Sequence, residues 1–120
     1  MTNNNVGKNF VKYTDKMDPE CIPLCDAINS YPGFKTFESC CGHGFRPFWI
    51  FFEINSLLNP NLPLFFRAFD SIYNNCDSKW TIQLRVGNVF DNVFFLLEGS
   101  IGSFDDANKI AKWLVDHLPM

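Results

Sequence analysis

Apolar and polar residues alternate with a period of two through Phe48 to Ile54. Phe48, Ile50, Phe52 and Ile54 fall on one side, and Trp49, Phe51 and Glu53 on the other. In an extended chain successive side chains point to opposite faces, so this stretch predicts a strand. Trp80 to Val86 repeats the pattern, with Trp80, Ile82, Leu84 and Val86 opposed by Lys79, Thr81, Gln83 and Arg85. Such alternation predicts an antiparallel strand with one packed and one open face. Gly87 to Asn92 reads as a turn, and Val93 to Glu98 as the hairpin partner. Thr36 to Cys40 reads as a shorter strand that runs into a glycine-containing loop.

Between these strands the period changes. Ile22, Cys25 and Ile28 recur at helical spacing after Asp18-Pro19-Glu20, which supplies an Asp N-cap, a Pro at the first helical position and a first-turn acid. This helix is expected to stop near Asn29, before the turn chemistry of Ser30-Tyr31-Pro32-Gly33. Asn61-Leu62-Pro63 opens a second helix with the stripe Leu62, Phe65, Phe69 and Ile72, closed by Asn74 to Ser78. Ser103 with Asp106 resembles a capping box that starts a third, striped by Phe104, Ala107, Ile110, Ala111, Leu114 and Leu118. The order α-β-β-α-β-β-α predicts an α+β fold: a four-stranded, largely antiparallel sheet with about three helices on one face. Residues 1–16, rich in Asn and Lys, read as a flexible tail, and residues 17–120 as one domain. The open sheet face would carry Trp49, Phe51, Thr81, Gln83 and Arg85, a surface suited to dimerisation, to cover by the tail or to a flat ligand.

Composition narrows the function classes. The chain has 120 residues, 47% hydrophobic and 19% charged, enough to bury a core. A net charge of -3 lacks the basic surplus of nucleic-acid binders. Apolar runs reach only about five residues, far short of the roughly twenty that a membrane span needs. Met1 to Lys16 has no apolar signal core, and five cysteines, two of them adjacent, do not form a spaced disulfide set. A cytoplasmic protein with free thiols is expected.

The chemistry concentrates in Ser39-Cys40-Cys41-Gly42-His43-Gly44 and the following Arg46. Gly42 and Gly44 can take positive φ and bring backbone close to a ligand. Successive N–H groups in such a turn can cradle an anion, and Arg46 could clamp a phosphate or carboxylate. His43 beside Cys40 or Cys41 could instead activate a thiol nucleophile, although no orienting acid other than Glu38 is evident. A zinc site could combine Cys40 or Cys41 and His43 with Cys21 and Cys25, which lie at i and i+4 on the first helix. A tight turn capping a packed strand end accounts for the same residues without any ligand. Cys76 reads as core, His117 as a helix C-terminal charge, and Asp105 and Asp106 as first-turn acids.

Asp18-Pro19-Glu20, Ile22-Pro23-Leu24, Ile28-Asn29, Pro32-Gly33, Thr36, Glu38 to Gly44 and Pro47-Phe48-Trp49 together resemble a family of small uncharacterised proteins of bacteria and their phages or prophages. That resemblance implies no particular activity. Asn29, Thr36 and Ser39-Cys40-Cys41-Gly42 are also similar to the helix, strand and Ser-Cys-Ser-Gly loop of tRNA wybutosine-synthesis methyltransferases. This chain is much shorter, and has Cys41 for Ser and His43 where that family tends to have Arg. The similarity implies a loop architecture and an adenosine-type ligand at most.

The sequence therefore favours a cytoplasmic protein that binds a small anionic or nucleotide-like ligand, acting on host systems if phage-encoded. Ser39, Cys40, Cys41, Gly42, His43, Gly44 and Arg46 would hold the ligand, helped by Trp49 and Arg85. The alternatives are a small thiol- or zinc-dependent enzyme using Cys40 or Cys41 and His43, and a dimeric interaction module built on Trp49 and Phe51. No cofactor is expected; zinc enters only with the alternative site of Cys21, Cys25, Cys40 and His43.

Overall fold

The computed structural model describes residues 17–86 and 94–119. The tail expected over residues 1–16 and the turn expected over Gly87 to Asn92 lie outside them. The elements follow the expected order: a 3-10 turn (Pro19–Cys21), α1 (Ile22–Asn29), β1 (Phe34–Cys40), a second 3-10 turn (Gly42–Gly44), β2 (Phe48–Ile54), α2 (Asn61–Tyr73), β3 (Trp80–Arg85), β4 (Phe94–Gly99) and α3 (Phe104–Asp116). The four strands form one antiparallel sheet in the order β1-β2-β4-β3. No described helix is long and apolar enough to cross a membrane.

β2 and β4 are the inner strands, and the alternation of β2 is fully realised. Phe48, Ile50, Phe52 and Ile54 are buried, while Trp49, Phe51 and Glu53 are only partly covered. Phe52 stacks on Phe34 of β1 at 5.9 Å and on Phe95 of β4 at 5.3 Å, a ladder of rings across three strands. Phe65 of α2 meets Phe52 at 5.5 Å and Tyr31 edge-on at 5.2 Å. The stripe Leu62, Phe65, Phe69 and Ile72 is buried as its spacing predicts. The Tyr31 hydroxyl donates to the Leu114 carbonyl at 2.9 Å, which fixes the end of α1 against the end of α3.

α1 is tied to β1 by one side chain. Asn29 Nδ2 donates to Thr36 Oγ1 at 2.9 Å, and Asn29 Oδ1 accepts from the Thr36 N–H at 2.8 Å. Beyond Thr36 the β1–β2 register shifts: Thr36 opposes Phe52, but Glu38 opposes Phe51. Phe37 is the extra residue of a β-bulge. Its ring lies over the outer face of the sheet, 5.8 Å from Phe51. As a result Ser39 opposes Ile50 on the core side and Cys40 opposes Trp49 on the outer side.

Neither expected helix cap forms, and Asp18 and Asp106 bond elsewhere. Asp18 makes no side-chain cap bond at the first turn, and α1 begins at Ile22. The Ser103 side chain makes no cap bond either. Asp106 is buried and accepts from the N–H of Ser78 at 2.7 Å and from the Ser78 hydroxyl, joining α3 to the start of β3. Burial alone would raise the Asp106 pKa, but the bonds from Ser78 and from the Asp77 N–H outweigh it and hold the carboxyl below its usual range. Both acids found a backbone N–H distant in sequence in place of the local one. α3 ends at Asp116, so Leu118 packs against the core from beyond the helix. Cys76 also packs against the core, only partly buried. His117 stacks on Trp113 at 4.1 Å.

Phe65→Ala is expected to cost about 3–5 kcal/mol, because the cavity opens beneath the ring ladder. Leu58→Ala, at a residue 90% exposed, is expected to stay within about 0.5 kcal/mol. Urea unfolding followed by far-UV circular dichroism checks both, and similar costs would contradict this account of the core.

Candidate metal centre

β1 ends at Cys40, and the chain turns sharply to enter β2 at Phe48. Gly42, His43 and Gly44 all have positive φ, at 79°, 56° and 88°. Glycine enters this region freely, so only His43 carries a cost there, and His is among the residue types that bear it more readily than most. Two local bonds support the turn: the N–H groups of Phe45 and Arg46 donate to the Gly42 carbonyl at 3.1 and 3.0 Å. A Cβ on Gly42 would stand 2.7 Å from the Pro47 carbonyl oxygen, whereas one on Gly44 meets nothing within 4 Å.

The third support comes from the other end of the fold. Asp18 Oδ2 accepts from the Cys41 N–H at 2.9 Å. This bond is the main cause that lowers the Asp18 pKa; partial burial opposes it, and the Cys41 and Cys40 thiols and His43 assist. Asp18 thus stands beside the loop as a carboxylate. His43 Nε2 lies 4.0 Å from the same oxygen, and His43 Nδ1 lies 3.6 Å from Cys41 Sγ. One donor atom each from Asp18, Cys40 and His43 lies within 4.8 Å of the others, which makes a possible ligand set for one ion.

The other thiols are differently placed. Cys21, at the end of the first 3-10 turn, and Cys25, in α1, are buried, and burial pushes the pKa of both up to about 12, against smaller opposing bonds from Ser39. They face the core side of β1 and do not belong to the Asp18, Cys40 and His43 group. Cys41 is only 2% exposed, and its pKa is raised by burial, with the Asp18 carboxylate adding to the rise against a bond from the His43 N–H. Cys40 is partly exposed.

Of the residues singled out from the sequence, Cys40, Cys41, Gly42, His43 and Gly44 come together, and Trp49 stands opposite Cys40 in the sheet. Ser39 turns toward Cys21 and Cys25. Arg46 is exposed, with its guanidinium 5.9 Å from the Phe45 ring. Arg85 opposes Phe94, which opposes Glu53, at the end of the sheet away from Cys40, and it bonds Gln83 at 3.1 Å. The loop N–H groups expected to cradle an anion are engaged within the protein. Cys41 N–H is held by Asp18, Gly42 N–H faces Cys40 Sγ at 3.4 Å, and His43 N–H faces Cys41 Sγ at 3.3 Å. Asp18 is the site residue that sequence reasoning missed. Its one signal was that an acid with an ordinary N-cap role was also free to reach elsewhere.

Asp18→Ala is expected to cost about 2 kcal/mol near neutral pH, the scale of a hydrogen bond to a charged acceptor. The folded-state pKa is depressed, so this stabilisation is present above the unfolded value and is lost as pH falls through the folded value. The gap between wild type and variant should therefore narrow below about pH 4, which urea midpoints at several pH values will read. Gly42→Ala should destabilise more than Gly44→Ala, because both strain φ but only the first meets the Pro47 carbonyl.

No protein-family model, no curated protein and no solved structure matches this chain. Its chemistry therefore rests on the geometry of Asp18, Cys40, Cys41 and His43.

Proposed function

We propose that the protein binds one divalent transition-metal ion of the zinc class through Asp18, Cys40 and His43, and keeps a coordination position open to water or a small anionic ligand. The convergence of a carboxylate, a thiol and an imidazole within 4.8 Å carries this reading. Around one zinc ion, with bonds of about 2.0–2.3 Å, neighbouring donor atoms stand roughly 3.5 Å apart, so small side-chain rotations would close the set. A thiolate and an imidazole favour zinc, cobalt, nickel or copper over magnesium and calcium, which take oxygen donors.

The electrostatics support a cation in preference to an anion. The loop N–H groups are engaged, that of Cys41 by the Asp18 carboxylate and those of Gly42 and His43 by the Cys40 and Cys41 sulfurs. The small anion expected from the sequence would then enter as a metal ligand, at the fourth position that three protein donors leave free. Cys41 Sγ beside His43 Nδ1 is placed to orient the imidazole while Nε2, nearer Asp18, meets the ion. The thiol-nucleophile reading gains an orienting acid in Asp18, but Cys41 is buried and its thiol is held protonated.

Zinc and cobalt titration of the reduced protein tests this reading. Cys40→Ser and His43→Ala are each expected to weaken zinc binding about a hundredfold or more. Affinity should fall as the pH is lowered, because the donors must lose protons. Zinc should slow iodoacetamide alkylation of Cys40 and leave that of Cys76 unchanged. Equal zinc affinity in wild type and both variants would refute the assignment.

A further inference from the structure

A recess between α2 and β3 shares no residue with the Asp18, Cys40 and His43 group. α2 presents Phe66, Phe69, Asp70 and Tyr73 at the helical spacing i, i+3, i+4 and i+7, toward Trp80 and Ile82 of the edge strand β3. Together these six residues line an open recess of about 320 Å³, within the range of small-molecule sites, about 300–1,000 Å³. Asp70 is the one charged residue on this aromatic and aliphatic wall. It is exposed, and among the described residues it makes no ion pair. The Phe69 and Tyr73 rings are nearly parallel, 7° apart, with centroids at 6.1 Å. Tyr73 is 38% exposed and Phe66 partly so, which leaves ring surface at the mouth, while Phe69 and Trp80 form the floor.

We infer that this recess binds a small organic cation, specifically a quaternary ammonium group. Ring faces carry negative partial charge and attract a cation, and a carboxylate at the rim adds a full opposite charge. The aromatic and aliphatic lining favours a quaternary over a primary ammonium, whose three N–H donors would draw it to the Asp70 and Tyr73 oxygens and to water. The Trp80 indole N–H is a donor, already given to Ser78 Oγ at 2.9 Å. A quaternary ammonium has no N–H to satisfy, and its methyl groups can lie against the rings and Ile82.

Choline and its neutral carbon isostere, dimethylbutanol, test the inference on the full chain at constant ionic strength. The Trp80 indole N–H signal in nitrogen-15 NMR is the readout. Choline is expected to shift it saturably, and the isostere to bind about tenfold more weakly. Asp70→Asn should weaken choline binding about fivefold, the scale of an exposed charge pair, and leave the remaining spectrum unchanged. Equal binding of choline and the isostere would mean an apolar groove only and would overturn the proposal. So would an Asp70→Asn variant with unchanged choline affinity, or the absence of any saturable shift. A dimer by light scattering whose Trp80 signal ignores choline would assign the recess to a second copy of the chain and overturn it equally.

Discussion

Phe52 stands at the centre of the sheet, on an inner strand, with one ring stacked on each side and Phe65 above it. The two stacks and the tilted Phe65 contact fix more than burial. Stacked rings at 5–6 Å tolerate little sliding, so the positions of β1 and β4 relative to β2 are set together with the height of α2. Whatever the loops do, they start from strand ends whose places this ladder has fixed. The loop that carries Cys40 and His43 leaves from β1 and returns into β2, the two strands that Phe34 and Phe52 hold together.

That loop is held from a distance as well as locally. Gly42 and Gly44 take positive φ freely, and His43 alone of the three carries a cost for it. Asp18, four residues before α1, accepts from the Cys41 N–H just past the end of β1. With the Asn29–Thr36 clasp it holds residues 18–29 along β1 at both ends. The candidate metal site grows out of the Asp18 bond, since the same carboxylate oxygen that holds the Cys41 N–H faces His43.

The architecture was legible because it rests on periodicity. Strands β2 and β3, the stripe of α2 and the order of elements follow from spacing that local sequence displays. The choice of partner by a polar side chain was not legible. Asp18 and Asp106 each stood where a cap would serve them, and each instead bonds an N–H at a separation of 23 or 28 residues. No window of sequence holds both members of such a pair. Arg85 failed for a related reason: its face was read correctly, but its distance along the sheet from Cys40 depends on a strand order that alternation does not encode. The loop itself was legible in composition, whereas the sign of the charge it would favour was set by Asp18.

The bulge at Phe37 acts on the site as a counting device. Strict alternation from Thr36 would turn Glu38 into the core and Cys40 in behind it, with Ser39 facing outward. The extra residue inverts that phase, so that Glu38 reaches water, Ser39 meets the buried thiols of Cys21 and Cys25, and Cys40 emerges beside Asp18. The donors could therefore all be kept and their convergence still be lost, by deleting a single phenylalanine that is not one of them. Among descendants of such a chain, β1 would be free to change its letters long before it was free to change its length.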